Sequence, residues 1–250
     1  MTKIFAHRGA SGYAPENTLE AFALAMDIGA DGIELDVQMT KDGEVVVIHD
    51  ETINRVSDGK GRVKDYTLVQ LREFSFDNHM EGYGHVSIPT LKEVLELVRP
   101  SKMDVNIELK TGIYWYPTLE EKVMEIVKNC GMEERVIYSS FNHYSVQKIR
   151  ELDSKAETAY LYSDVILDVE NYAKRTGVCG LHPAVYHLKM AGFMEKYKDS
   201  SCKVRVWTVD DIQDMHLFIR HELEAVITNY PDKALEIRRK YEQHLSLIHI

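Results

Sequence analysis

The chain has 250 residues, of which 44% are hydrophobic and 28% charged, which is typical of a folded globular protein. Its formal net charge of −10 argues against a nucleic-acid-binding surface and gives no general attraction to anionic lipid. Three cysteines without a C-x-x-C pair indicate buried thiols rather than disulfides or a zinc site. Neither a secretory leader nor a run of the ~18 apolar residues that a spanning helix needs is visible. We therefore expect a cytoplasmic protein without stable membrane association.

Strand-like and helix-like segments alternate along the chain. Strands that each precede a helix are predicted at residues 3–6, 32–38, 104–110, 136–139, 158–161, 180–182, 204–208 and 225–228. Eight such βα units are typical of a TIM (β/α)8 barrel. The alternative, a doubly wound open sheet, more often carries a glycine-rich fingerprint after its first strand, and residues 7–12 (HRGASG) do not match it. We predict one TIM-barrel domain over residues 1–241.

Two segments depart from this alternation. An additional apolar strand at residues 45–48 and a polar stretch at 51–87 follow the second strand, and we interpret 51–87 as a small cap inserted into the barrel. The final helix is predicted at 231–241. Residues 245–250 (LSLIHI) have no helical period and read like a translated cloning adapter. We expect them to be a non-native tail that packs against nothing.

The second strand has an apolar face and an acidic face, because alternate side chains of a strand point to opposite sides. Glu34 and Asp36 share the acidic face, with Cα atoms about 7 Å apart. In the strand at 104–110, Glu108 and Lys110 likewise share one face. Polar side chains inside a barrel are costly unless they are paired or bind a metal. These two strands therefore indicate a functional mouth at their carboxyl ends, where barrel sites lie.

Three carboxylates, those of Glu34, Asp36 and Glu108, converge on this mouth in the predicted barrel. Oxygen ligands without cysteine or clustered histidine suit Mg²⁺ or Ca²⁺. The alternative is an acidic patch neutralised by Arg8 and Lys110, which is the simpler interpretation of Glu-x-Asp alone. The same two cations are the residues suited to holding phosphate oxygens.

Two histidines end neighbouring strands. His7 follows the first strand and His49 follows the additional one. A single histidine is usually structural or exposed, but two beside three acids make a general acid–base pair plausible. Trp207 is expected on the inner face of its strand, where it packs either against an apolar part of a ligand or in the core.

Short motifs in a fixed order now suggest a family. They are HRG at 7–9, PENT at 15–18, E-x-D-V at 34–37, KDG at 41–43, HD at 49–50, IPTL at 88–91, E-x-K at 108–110 and VWTV at 206–209. Over about residues 3–234 the chain resembles the glycerophosphodiester phosphodiesterase family in its bacterial, cytoplasmic form. The stretch at 51–87 resembles the small insertion of that family.

The resemblance implies a TIM barrel and one divalent cation, Mg²⁺ or Ca²⁺. It also implies residue roles: metal ligation by Glu34, Asp36 and Glu108, phosphate contacts from Arg8 and Lys110, acid–base chemistry by His7 and His49, and a glycerol side lined by Trp207 and Phe141. Two positions depart from the family pattern. Asn229 stands where an aspartate is frequent, and His182, where an asparagine is common, bears on substrate fit.

The implied reaction is metal-dependent hydrolysis of a small-molecule glycerophosphodiester to sn-glycerol 3-phosphate and an alcohol. The alternatives are a lysophospholipase D, a phosphoinositide-phospholipase-like lyase and a non-catalytic barrel that binds glycerophosphodiesters. The sequence does not decide which histidine is the base. It also leaves open whether the nucleophile is water or the glycerol hydroxyl, and we expect a monomer or a small homo-oligomer.

Overall fold

A computed structural model describes residues 1–248, with side chains described as far as Gln243. The expected non-native tail at 245–250 therefore lies outside the described side chains. Within the described residues, no helix combines the length and the apolar character needed to cross a bilayer.

Eight parallel strands close into a barrel. They are β1 (Lys3–His7), β2 (Gly32–Met39), β4 (Asp104–Leu109), β5 (Val136–Ser140), β6 (Glu157–Tyr162), β7 (Gly180–Pro183), β8 (Lys203–Val206) and β9 (Ala225–Thr228). Neighbours pair in that order, and β9 pairs with β1 to close the ring. The short strand β3 (Val45–Val47) pairs antiparallel with β2 outside the ring. The predicted TIM barrel is confirmed.

Helices follow the strands. They are α1 (Leu19–Ile28), α2 (Leu68–Leu71), α3 (Leu91–Val98), α4 (Leu119–Cys130), α5 (His143–Leu152), α6 (Val169–Thr176), α7 (Phe193–Asp199), α8 (Ile212–Arg220) and α9 (Pro231–Ile248). Thr18 caps α1 by accepting from the Ala21 amide. Helix α9 runs seven residues beyond the predicted end at 241, because residues 242–248 contain neither glycine nor proline to stop it.

An apolar cluster lies inside the barrel below its polar mouth. Phe5, Ile137, Ala159, Ala225 and Ile227 form a buried cluster inside the ring. Side chains nearer the carboxyl ends of the strands are charged, so this apolar floor closes the bottom of the site. Larger apolar clusters between strands and helices fix the strand positions.

The segment at 51–87 packs over β3 with a small apolar core of its own. Val46 and Ile48 contribute from the β3 region, and Ile53, Leu71 and Phe76 contribute from the segment. Apart from α2 and one 3₁₀ turn (Val63–Asp65), it follows an irregular path. Its position beside β3 brings it to the edge of the barrel mouth.

Candidate active site

The acidic cluster arises from the pairing of β2 with β4. In the parallel register Asp36 lies opposite Glu108, and Glu34 lies one pleat below on the same inner face. The carboxylates of all three residues are buried, and one oxygen from each lies within 4.8 Å of the others. The structure therefore brings the three predicted metal ligands to one point.

The surroundings of the cluster do not fully compensate its negative charge. Burial first, and then the charges of Asp36 and Glu108, raise the pKa of Glu34 well above its usual value. Burial and the charge of Asp36 likewise raise the pKa of Glu108. Burial also opposes ionisation of Asp36, but the Arg8 guanidinium and other neighbouring cations outweigh it and lower the Asp36 pKa. Additional positive charge at this point would stabilise all three carboxylates.

The donor set fits a hard divalent cation. Oxygen Oδ1 of Asp36 is buried and receives no hydrogen bond from any residue that the structure describes. Its ion-pair partner, Lys110 Nζ, lies 3.9 Å away, beyond hydrogen-bonding distance. A buried carboxylate oxygen without a hydrogen bond costs free energy unless a cation or water binds it. Together with the nearby oxygens of Glu34 and Glu108, it offers the ligand chemistry that Mg²⁺ and Ca²⁺ prefer.

The two predicted phosphate-binding cations lie directly against the acids. The Arg8 amide donates to Glu34 Oε2 at 3.0 Å, and Arg8 Nε lies 3.4 Å from Asp36 Oδ2. Arg8 adopts φ 54°, a left-handed conformation that is uncommon outside glycine and costs backbone energy. Lys110 Nζ donates to Glu108 Oε1 at 3.0 Å. Neutralisation of the acids is thus part of what Arg8 and Lys110 do.

His7 ends β1 at the edge of the acidic cluster. Its Nδ1 lies 2.7 Å from Asn229 Oδ1, and its Nε2 lies 3.9 Å from Glu34 Oε2. Burial first, and then the positive charge of Arg8, lower the pKa of His7 to about 4. The imidazole is therefore neutral near pH 7, and a neutral imidazole can accept a proton.

His49 lies just beyond β3, and its partner is a carboxylate. Its Nδ1 lies 2.6 Å from Asp50 Oδ1. Arg55, from the segment at 51–87, donates to Asp50 Oδ2 at 2.8 Å and to both oxygens of Glu16, each at 2.8 Å. The hydrogen bond from His49 and those from Arg55 lower the pKa of Asp50. Asp50 is therefore an anion that holds the His49 ring.

A cavity of about 300 Å³ joins the two histidines to an apolar wall formed by Phe141 and Trp207. The rings of Phe141 and Trp207 pack edge to face, with centroids 5.5 Å apart. The indole of Trp207 donates to the carbonyl oxygen of His182 at 2.7 Å. His182 itself is completely buried. The sequence suggested that this residue bears on substrate fit, and in the structure its backbone supports Trp207 from beneath.

Several residues around the site were missed from the sequence. The side-chain amide of Asn17 donates to Asp36 Oδ2 at 2.9 Å. Glu16 and Arg55 carry the bridge to Asp50, and Asn229 holds His7. The contacts of Asn17 with Asp36, of Glu16 with Arg55 and of Asn229 with His7 join residues 19, 39 and 222 positions apart, so local periodicity gave no signal for them. The motifs PENT and HD were the available signals for Glu16, Asn17 and Asp50.

Comparison with known proteins agrees with this geometry. Residues 7–233 match the model of the Glycerophosphoryl diester phosphodiesterase family. A glycerophosphodiester phosphodiesterase of Caldanaerobacter subterraneus is 41% identical over 240 residues, covering 96% of this chain and 98% of the relative. One from Bacillus altitudinis is 43% identical over 247 residues, covering 96% and 99%.

Solved structures extend the similarity to the fold. An Oleispira antarctica phosphodiesterase in complex with the product sn-glycerol-3-phosphate is 27% identical with a TM-score of 0.85, covering 95% of this chain and 96% of that one. A Thermotoga maritima glycerophosphodiester phosphodiesterase is 29% identical with a TM-score of 0.79, covering 95% and 99%. The chain belongs to the glycerophosphoryl diester phosphodiesterase family, as its sequence motifs predicted.

Proposed function

We propose that this chain hydrolyses glycerophosphodiesters to sn-glycerol 3-phosphate and an alcohol. The observation that carries the proposal is the convergence of Glu34, Asp36 and Glu108 within 4.8 Å of one another. Both His7 and His49 line the adjoining cavity. Family membership and the product-bound structure of a relative support the same reaction.

The roles of the residues follow from the resistance of phosphodiesters to hydrolysis, since their negative charge repels a nucleophile. Glu34, Asp36 and Glu108 would hold a Mg²⁺ or Ca²⁺ ion, whose positive charge would stabilise the phosphoryl oxygens in the transition state. Arg8 and Lys110, beside the cluster, would bind the same oxygens. One histidine takes a proton from the attacking oxygen and the other protonates the leaving alcohol.

Phe141 and Trp207 complete the site as an apolar wall for the glycerol side of the substrate. Residues 1–241 would act as one catalytic unit, with 51–87 as its cap and 245–250 as a non-native tail. A cytoplasmic location is supported by the three unpaired cysteines, which suit a reducing compartment.

The test is release of glycerol 3-phosphate from glycerophosphocholine, with Mg²⁺ or Ca²⁺ and after EDTA treatment. We expect release with a cation and loss of release with EDTA. Phosphorus NMR of the products distinguishes hydrolysis from a lyase reaction that stops at a cyclic phosphate. Absence of glycerol 3-phosphate with every cation and headgroup would overturn the proposal.

A further inference from the structure

Asn106 is a buried amide in the cavity to which the proposed reaction assigns no role. It lies on β4 two residues before Glu108, and the strand register places it between Glu34 on β2 and Ile137 on β5. The residue is 1% exposed, yet it lines the cavity that contains the two histidines. Asn106 therefore faces the space beside the metal ligands, at a level deeper in the barrel than Glu108.

The Asn106 amide is left without a partner on its oxygen. Oδ1 is buried and receives no hydrogen bond from any residue that the structure describes. An unpaired polar atom in the barrel interior costs free energy, and an apolar side chain of similar size would avoid that cost. Ile137 and Ile227 of the apolar floor show that the surrounding interior accepts such side chains. The amide at this position therefore points to a ligand that binds it.

The hydrogen-bonding chemistry of an amide selects the group that it would bind. Oδ1 accepts a hydrogen bond and Nδ2 donates one, and an alcohol hydroxyl can both donate and accept. An ionised phosphoryl oxygen only accepts, and the trimethylammonium group of choline does neither, so neither of them would satisfy Oδ1. A hydroxyl of the substrate satisfies both atoms of the amide.

The depth of Asn106 indicates which part of the substrate reaches it. The phosphoryl group would be bound at the level of Glu108, whose Cα atom lies about 7 Å above that of Asn106 by strand rise. The apolar wall of Phe141 and Trp207 borders the same cavity. The glycerol carbons would lie along this wall, so the glycerol hydroxyl farthest from the phosphorus is the one that extends toward the amide.

We propose that Asn106 binds the terminal hydroxyl of the glycerol and makes the site specific for glycerophosphodiesters in which that hydroxyl is free. This inference rests on the hydrolysis proposed above. The apolar floor closes the bottom of the site, so an acyl chain attached to this hydroxyl has no path through the barrel. The site therefore excludes lysophospholipids that carry an acyl chain on the terminal oxygen.

The test compares three phosphocholine esters by their rates of choline release. They are glycerophosphocholine, its deoxy analogue, made from propylene glycol joined through its primary hydroxyl, and hexanoyl lysophosphatidylcholine, which is acylated on the terminal oxygen. For the wild-type protein we expect kcat/KM to be about 100-fold lower on the deoxy analogue, because that analogue leaves the buried amide unpaired. We expect a loss at least as large on the acylated ester.

Two substitutions separate hydroxyl binding from folding. In Asn106→Leu we expect kcat/KM on glycerophosphocholine to fall about 100-fold and kcat/KM on the deoxy analogue to change by less than about tenfold. Thermal unfolding should stay close to wild type, because an apolar side chain replaces an unpaired polar one.

Thr158→Val is the matched control. Thr158 Oγ1 is also buried and without a hydrogen bond among the residues that the structure describes. Because the adjacent Ala159 belongs to the apolar floor, Thr158 points to the opposite side of β6 from the cavity. This variant should keep the wild-type preference for glycerophosphocholine.

Three results would overturn the inference. The first is equal turnover of glycerophosphocholine and the deoxy analogue by the wild type, which is decisive even if Asn106→Leu does not fold. The second is a folded Asn106→Leu with the full wild-type preference, since the amide would then bind only a buried water. The third is turnover of the acylated ester at the rate of glycerophosphocholine.

Failure of the inference and failure of the proposed function give different results. If the wild type released choline from none of the three esters with any cation, the proposed function would fall and this inference with it. A wild type that hydrolyses glycerophosphocholine but does not discriminate among the esters would remove the inference alone.

Discussion

The mouth of the barrel has two unlike halves. Side chains on β1, β2 and β4 form a charged half that is buried: Glu34, for example, is 4% exposed. The loops after β5, β6 and β7, together with the first turn of α5, form an apolar half that faces solvent. Its exposed side chains are Phe141, Tyr144, Val165, Leu167, Tyr186 and Met190.

This difference indicates that the two halves of the mouth have different functions. Strand residues tied by hydrogen bonds on several sides give the fixed geometry that bond breaking needs. Loop residues with free surfaces adapt to the part of a substrate that does not react. We therefore expect changes in the charged half to lower kcat and changes in the apolar half to raise KM. The following predictions test this division, beginning with the largest effect.

Replacing His7 should have the largest effect. In His7→Ala we expect kcat on glycerophosphocholine to fall by about 10²–10⁴, because proton transfer in the transition state is lost. Thermal unfolding should stay close to wild type. His216→Ala is the matched control, since His216 lies on α8 and contacts Tyr241 instead of the cavity. Turnover by His7→Ala within a few-fold of wild type would remove His7 from the reaction.

Replacing a carboxylate should weaken cation binding. In Glu108→Gln we expect the affinity for Mg²⁺ and Ca²⁺, measured by calorimetry, to fall by about 10- to 100-fold or more. Glu121→Gln, a change of a surface carboxylate paired with Lys148, should bind the cation as wild type does. Equal affinity in both variants would contradict a metal site at the mouth.

Arg55 should affect kcat from outside the cavity. Arg55→Ala removes the bridge that holds Asp50 and Glu16, and we expect kcat to fall by about tenfold with KM unchanged. Arg55→Lys should restore little, because a lysine cannot reproduce the forked contacts. The exposed Lys60 of the same segment provides the control: Lys60→Ala should turn over normally.

Without the cation, the acidic cluster should destabilise the fold as pH rises. Burial, followed by the charges of Asp36 and Glu108, raises the Glu34 pKa above its usual value of 4.5, so between 4.5 and that raised pKa the folded state binds more protons than the unfolded state. The free energy of unfolding therefore decreases with increasing pH in this window. In EDTA at pH 8 we expect Glu34→Gln to unfold about 2–4 °C higher than wild type. A lower unfolding temperature would contradict the strained cluster.

The apolar half should give the smallest effect. Phe141→Ala removes the ring packed on Trp207, and an aromatic contact contributes about 0.5–1.5 kcal/mol. We expect KM to rise about three- to tenfold with kcat nearly unchanged. Tyr144→Ala, in the first turn of α5 and 78% exposed, should leave both constants near wild type. A fall in kcat for Phe141→Ala would contradict the expectation that the apolar half affects KM alone.

The sequence predicted the barrel and the two acidic strands because both depend on local periodicity. Because side chains of a strand alternate with a period of two residues, Glu34 and Asp36 lie on one face of β2. The parallel register then brings Glu108 opposite Asp36. The resemblance to the family implied Phe141, which no local pattern and none of the short motifs indicated.

The supports of the site could not be predicted in the same way. His7 and Asn229 are 222 positions apart in the chain, and their contact depends on closure of the ring. The bridge from Arg55 depends on the path of an irregular segment, for which no period exists. The predicted end of α9 at residue 241 was wrong. The residues that follow form an apolar tail and contain no stop signal, so the helix continues into them.

The pairing of β9 with β1 has a consequence for the folding of the chain during its synthesis. Asn229 is synthesised 222 residues after His7. A nascent chain thus has the His7 ring but not the side chain that holds it until β9 has been synthesised. A chain that stops before Asn229 would contain Glu34, Asp36, Glu108 and both histidines of the site, yet lack the contact that holds the His7 ring.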